Sequence, residues 1–536
     1  MVDFKGLLSA LLNRNKAQPA ATLDSVTQMM RQLSAHDTAS AHHTIRQTLK
    51  ALNDDHTIPA KDRFRSLQLI DDQAQNIQQR IAEDALFDLA QQPRSSKQMI
   101  QTMLVFWQLI ADGYRLVLHD IQRKGSKQLQ EQLPEIIARA LRGFAEQAKW
   151  KMVLYSPVED SIWRNLDRLY LMAEQANVET YTLSLQGKQV TCETQFLRPH
   201  LLSLSQPETM MPQQIDALDS WLIENLSVLS LETEIQPLKQ VYAINLEAHQ
   251  LAHRLRRNMI DAGYRFLATQ PLAEALQATL TQLHESTPPA RLALGSSFNT
   301  ATDVDALEKV IQCWSKTAYP ARKFDRKEIN QPTMVKFGLK GILHLMQDKY
   351  AEQTPPAASV GYAIMQRRGL GVPLAGKMEA PLFEEDTDQT RWHLQDESRS
   401  GIGIVADGEI PRGVKIGELV CLKRSNIYLL GIVRRIHKFN LLKIGIELFT
   451  HQARLVTLAH DSWPYPQEVI YLTEDKELGL PRALLLPAQL GHSGHAYVLS
   501  SGKQRYRIAL ERDRSTHAGY QRFSFRVVEK LAETTS

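Results

Sequence analysis

The sequence predicts an α+β multidomain protein. An N-terminal all-α helical bundle or irregular helical repeat is followed by an antiparallel β-barrel and a further small β module. Up to about residue 300, apolar residues recur with the helical period, Gln, Ala and Leu abound, and β-branched runs are scarce. From about residue 331 the period falls to two, in short runs punctuated by Gly, Pro and Asn. A length of 536 residues leaves room for three or four domains at about 150 residues each. The expected boundaries are 1–300 for the helical region, 301–458 for the barrel with an insertion at about 350–390, and 459–536 for the last module.

Within the helical region, Met99, Met103, Phe106 and Ile110 share one helix face, and Trp221, Leu222, Leu226 and Leu229 share another. Ser156-Pro157-Val158-Glu159 reads as a capping box ahead of the stripe Ile162, Leu166, Leu169, Tyr170 and Ala173. Breaks such as QQPRSS (91–96) and SLSQPETMMPQQ (203–214) separate helices that pack as antiparallel hairpins. No fixed period certifies a solenoid. In the second half TMVKFGLKGILHLM, RWHLQD, GIGIV, IGELVCLK, IYLLGIVRRI and LLKIGIELF read as successive strands. Another set follows Trp463-Pro464-Tyr465-Pro466: EVIYLT, RALLLPA, AYVLS, QRYRIAL and RFSFRVVEK. It forms either a separate module or the far half of the same one.

Composition narrows the function. Lys and Arg number 63 against 59 Asp and Glu, and no block of five like charges occurs, so dedicated nucleic-acid binding is not indicated. The three cysteines, at 192, 313 and 421, are too few and too far apart for a disulfide framework, which suits a reducing compartment. No stretch is apolar for long enough to span a bilayer, and MVDFKGLLSALLNRNK lacks the layout of a secretory signal. A cytoplasmic location is expected. Phe4, Leu7, Leu8, Leu11 and Leu12 share one helical face suited to docking on protein.

Catalytic patterns fail on their spacing. His249 and His253 stand four apart on an expected helix, but Gln250 occupies the place of a metalloprotease's general base. In Gly491-His492-Ser493-Gly494-His495 the second glycine comes one residue too early for a nucleophile elbow, which leaves a turn between strands. No P-loop pattern occurs. No enzyme, metal or cofactor is expected.

Two separated fragments combine. Arg322-Lys323-Phe324-Asp325-Arg326 places an RxxxR just before the first strand, and Asp396-Glu397-Ser398-Arg399-Ser400-Gly401 places a DxSxxG between two strands. Guanidinium groups fork onto phosphate oxygens and stack on purines. A carboxylate accepts from guanine N1–H and its exocyclic amine, a serine hydroxyl adds a short polar contact, and a glycine lets backbone approach a ligand. Together they would hold a guanine-bearing anion against the outside of a barrel.

These residues resemble the PilZ family, receptors for the bacterial second messenger cyclic di-GMP. The likeness extends through Ile410-Pro411-Arg412-Gly413 to Ile444-Gly445-Ile446-Glu447-Leu448-Phe449, over about residues 320–455. It implies a non-enzymatic receptor whose ligand-binding residues are Arg322, Arg326, Asp396, Ser398 and Gly401. It further implies a ligand-driven change in how the helical region meets a protein partner. The departure from the family's pattern is the spacing, since 70 positions (396 − 326) separate Arg326 from Asp396. Two other readings remain open: a ligand-independent protein scaffold, and an RNA-binding barrel using Arg505, Tyr506, Arg507, Arg522, Phe523 and Phe525.

Overall fold

The computed structural model describes residues 23–33, 37–89, 93–125, 127–236, 238–256, 261–295, 297–317, 324–353, 390–411, 413–424, 427–476, 479–488, 490–517 and 519–532. The apolar N-terminal face, Arg322 and most of the expected insertion lie outside these residues. The chain divides into two compact units between Pro320 and Ala321.

The first unit is built on two long helices, Pro93–Lys124 and Leu133–Val153, crossing where Gly143 faces Ala111. A Cβ on Gly143 would come within 3.0 Å of the Ala111 Cβ, so its absence sets how closely the backbones approach. The second of these helices is buried nearly all round. Its charged residues are therefore paired. Arg139 and Arg142 both donate to the fully buried Asp71, which also accepts from the Tyr114 hydroxyl at 3.2 Å. Lys149 meets Asp219 at 3.0 Å, and Arg198 meets the same carboxylate at 2.5 Å. Helices Leu23–Leu33, Thr38–Asp54, Ala60–Gln73, Gln75–Asp88, Asp160–Gln175, Cys192–Leu204, Pro212–Asn225, Gln270–His284 and Thr300–Trp314 pack around this pair into one continuous core.

The structure corrects the sequence reading in four places here. The unit is not all helix: β1 (Leu183–Leu185) and β2 (Lys188–Val190) form a hairpin. In addition β3 (Leu231–Glu232), β4 (Tyr242–Asn245), β5 (His253–Arg254) and β6 (Tyr264–Leu267) form a sheet in the order β3-β6-β4-β5. Helix Thr300–Trp314 belongs to this unit, because Leu307, Val310 and Trp314 are buried in its core and Tyr242 donates to the Cys313 carbonyl at 2.5 Å. The capping box at 156–159 does not form. Tyr155 is left-handed (φ 54), and Ser156 N–H reaches back to the Lys151 carbonyl at 2.9 Å, so these residues close the preceding helix and Glu159 caps the next without a side-chain bond.

The fourth correction concerns His249 and His253, which are not on a helix. Asn245 Oδ1 accepts from the N–H groups of Glu247 and Ala248, turning the chain so that His249 is left-handed (φ 54) and His253 enters β5. His249 Nδ1 then lies 3.1 Å from the buried Asp167 carboxyl. Burial pushes Asp167 up to about 8, and burial with Arg164 and Arg168 pushes His249 down. At neutral pH the proton therefore rests on the carboxyl and is donated to a neutral imidazole. A group with a raised folded-state pKa holds more protons folded than unfolded, so this contribution is full below the unfolded pKa near 4 and is lost as pH rises through about 8. Asp167→Asn is expected to stabilise the protein more at pH 8 than at pH 5, by about 1 kcal/mol or more. Denaturant unfolding at the two pH values checks this, and equal gains would contradict it.

The second unit holds two closed six-stranded barrels. The first comprises β7 (Lys327–Phe337), β8 (Trp392–Ser398), β9 (Gly401–Ala406), β10 (Leu419–Arg424), β11 (Ile427–Lys438) and β12 (Leu442–Thr450), in the closed order β10-β11-β12-β9-β8-β7. The second comprises β13 (Ala453–Ala459), β14 (Gln467–Leu472), β15 (Ala483–Pro487), β16 (Ala496–Ser501), β17 (Gln504–His517) and β18 (Tyr520–Leu531). The last module is thus a barrel of its own, and it begins at Ala453, a strand the sequence reading passed over.

The segment read as one strand, TMVKFGLKGILHLM, splits at Gly338 (φ 74) into the end of β7 and a helix, Leu339–Gln353. Leu339, Ile342, Leu345 and Met346 recur at helical spacing and fill the apolar space between the barrels. They meet Tyr428, Leu430 and Ile432 of one barrel and Ile470, Leu472 and Leu485 of the other. Phe523 and Phe525 are buried in the second barrel, and Arg522 lies over Phe449 at 4.5 Å. The two phenylalanines are therefore unavailable to stack on bases, which removes the core of the RNA reading.

Candidate functional site

The DxSxxG forms the β8–β9 hairpin, with Ser398 opposite Gly401 and a loop of Arg399 and Ser400. Ser398 Oγ donates to the Gly401 carbonyl at 3.1 Å, which spends its proton and leaves its lone pairs outward as an acceptor. The Ser400 carbonyl accepts from Leu448 N–H at 3.0 Å, and the Arg399 carbonyl lies 2.9 Å from His451 Nε2. The loop is held from the far strand.

Gly401 is required for a reason the sequence did not suggest. Its φ is not positive; instead a Cβ there would lie 2.8 Å from the Ile446 carbonyl oxygen of β12. Any side chain would push β9 off its neighbour. Gly403 acts similarly toward Asp396, since a Cβ on it would stand 2.7 Å from Asp396 Oδ1. The carboxylate lies directly over this bare stretch of strand.

A bulge puts it there. Leu394 pairs with Ile404 but Asp396 pairs with Gly403, so Gln395 is an extra residue and the alternation of faces shifts. Ile402 and Ile404 are buried inward, which leaves Gly403 and the Asp396 side chain on the outer face. Beside it Arg326, just ahead of β7, makes an ion pair with Asp396 through Nη1 and Oδ1. The last residue of the RxxxR and the first of the DxSxxG meet despite the 70 positions between them, because β7 and β8 are adjacent antiparallel strands, with Lys327 opposite Glu397. Glu397 is itself neutralised by Arg424 at 2.9 Å. Of the five expected binding residues, Arg326, Asp396, Ser398 and Gly401 share one edge of the barrel, and Arg322 lies outside the described residues.

The arrangement offers carboxylate and hydroxyl acceptors beside a partly exposed guanidinium, on a surface bare at Gly403. It suits a flat ligand edge bearing N–H donors with an anionic group nearby. Gly403 and the Glu397–Arg424 pair escaped the sequence reading, because only strand register reveals which glycine lies under Asp396.

The matches to known proteins fall in the helical unit. Residues 24–238 match the family described as cyclic-di-GMP receptor FimW, N-terminal domain. A curated relative, the cyclic-di-GMP receptor FimW of Pseudomonas aeruginosa, is 24% identical over 224 residues, which make up 41% of this chain and 36% of that protein. The match thus spans little more than a third of the relative's length. No solved structure matches the chain significantly. Among the described residues, no helix is long and apolar enough to cross a membrane.

Proposed function

We propose that this protein is a cyclic di-GMP receptor whose first β-barrel binds the dinucleotide through Arg322, Arg326, Asp396, Ser398 and Gly401. On this reading it acts without catalysis, in the cytoplasm, and ligand binding changes how the helical region is presented to a protein partner. The observation that carries the reading is the juxtaposition of Arg326 and Asp396 over Gly403. Support comes independently from the helical half, whose family match is named for receptors of the same ligand.

Asp396 receives the guanine Watson–Crick edge, Ser398 Oγ accepts a further N–H, and Arg326 turns from Asp396 onto a phosphate or the purine face. Before binding, the Arg326–Asp396 pair holds both groups in place at modest cost, because an exposed ion pair is worth about 0–1 kcal/mol. By linkage, a partner that prefers the liganded arrangement tightens ligand binding equally.

Thermal unfolding of the whole chain tests the reading. Cyclic di-GMP at a hundred times its Kd should stabilise the fold by about 2.7 kcal/mol, whereas single-stranded RNA should not. An unchanged melting temperature with every ligand would favour the scaffold reading.

A further inference from the structure

We infer that the hollow between helices Pro93–Lys124 and Asp160–Gln175 is a docking surface for an acidic amphipathic helix of a protein partner; this rests on the reading above that the helical region serves such a partner. Helical spacing carries the inference. Arg115, Leu118 and His119 stand at i, i+3 and i+4 on the first helix, and Asn165, Arg168 and Leu169 repeat that spacing on the second. Both helices pack on Leu133–Val153, and the hollow lies between their facing rows. Leu118 and Leu169 are its apolar floor, buried below the polar side chains on either wall.

The walls carry charge of one sign. Arg115 and Arg168 are exposed, and Arg164, exposed one turn before Arg168, extends the row. Among the described residues no carboxylate lines the hollow, and none pairs with Arg164 or Arg168. Asp112 meets Arg115 at 2.9 Å, but both side chains are open to water, so that pair exchanges readily for an incoming carboxylate. The other acids of the second helix are turned away: Asp167 is buried on its inner side, and Glu174 is held by Arg265 at 2.6 Å.

Size and chemistry select the occupant. The hollow measures about 150 Å³, well short of the about 300–1,000 Å³ of small-molecule sites, so it admits a side chain and not a nucleotide. No Phe, Tyr or Trp lines it to stack on a base. A partner helix laid between the walls places one apolar residue against Leu118 and Leu169, and acids one turn to either side of that residue reach Arg115 and Arg168. The apolar contact is small, so charge supplies most of the recognition and salt opposes it.

Fluorescence polarisation of the whole chain with a labelled helical peptide of Leu, Ala and Glu tests this, beside a counterpart with Lys in place of Glu and a labelled single-stranded RNA. The Glu peptide should bind, more weakly as salt is raised, and the Lys peptide should not. Arg115→Glu combined with Arg168→Glu should weaken binding by roughly tenfold or more. Lys50→Glu, the same charge reversal at an exposed site on helix Thr38–Asp54, should change it by less than about twofold. Melting temperatures near wild type would show that the variants fold. No binding of the Glu peptide, wild-type binding by the double variant, an equal loss in Lys50→Glu, or tighter binding of RNA than of the peptide would each overturn the inference. A chain that binds the peptide at this groove but no cyclic di-GMP would overturn the receptor reading and leave the groove standing.

Discussion

Replacing Asp396 by alanine is expected to weaken cyclic di-GMP binding by about tenfold to a hundredfold, the worth of hydrogen bonds to a charged group. The substitution removes the acceptor for the guanine edge. It also releases Arg326, whose ion pair in the unliganded chain goes to that carboxylate. The fold should tolerate the change, because the side chain lies on the outer face over Gly403. Fluorescence polarisation with a labelled ligand, read beside a melting curve, checks both halves. Equal loss of stability and of binding would recast Asp396 as a structural residue of the hairpin.

The largest effect on stability is expected in the other unit. Asp71→Ala in the helical unit should destabilise it by about 3–5 kcal/mol, since breaking a buried ion pair strands the remaining charge. Asp71 is fully buried between Arg139 and Arg142, and the Tyr114 hydroxyl also donates to it. Arg139 keeps Asp72 and Glu135, at 2.7 and 2.8 Å, so the cost falls mainly on Arg142. Urea unfolding followed by circular dichroism measures it. A loss under about 1 kcal/mol would mean that water or Trp107, over which Arg142 lies at 5.5 Å, compensates the guanidinium.

The strands of both barrels, apart from β13, were legible because alternation and turn residues act locally. So were the helices behind Met99 and Ile162, whose apolar faces are long. The hidden features depended on context. Helix Leu339–Gln353 is apolar enough to pass as a strand, and what makes it a helix is the double apolar surface of two barrels that its Leu339, Ile342 and Met346 face covers. The sheet at 231–267 has strands of two to four residues, too short for any period to register. In the candidate site, the residue types at Arg326 and Asp396 suggested a chemistry, but bulges decided the geometry. The shift after Leu394 sends Asp396 outward over Gly403, and no composition rule places an extra residue there. The 70-position gap departs from the family's spacing along the chain, and it is bridged because β7 and β8 pair directly.

The central claim is that Arg326 and Asp396, brought together at one barrel edge, form the binding point for a guanine dinucleotide. Titrating cyclic di-GMP into the wild-type chain and into Arg326→Ala tests it most directly. The account predicts saturable binding by the wild type, and at least tenfold weaker binding by a variant that melts at the same temperature. Indistinguishable isotherms from the two proteins would contradict it.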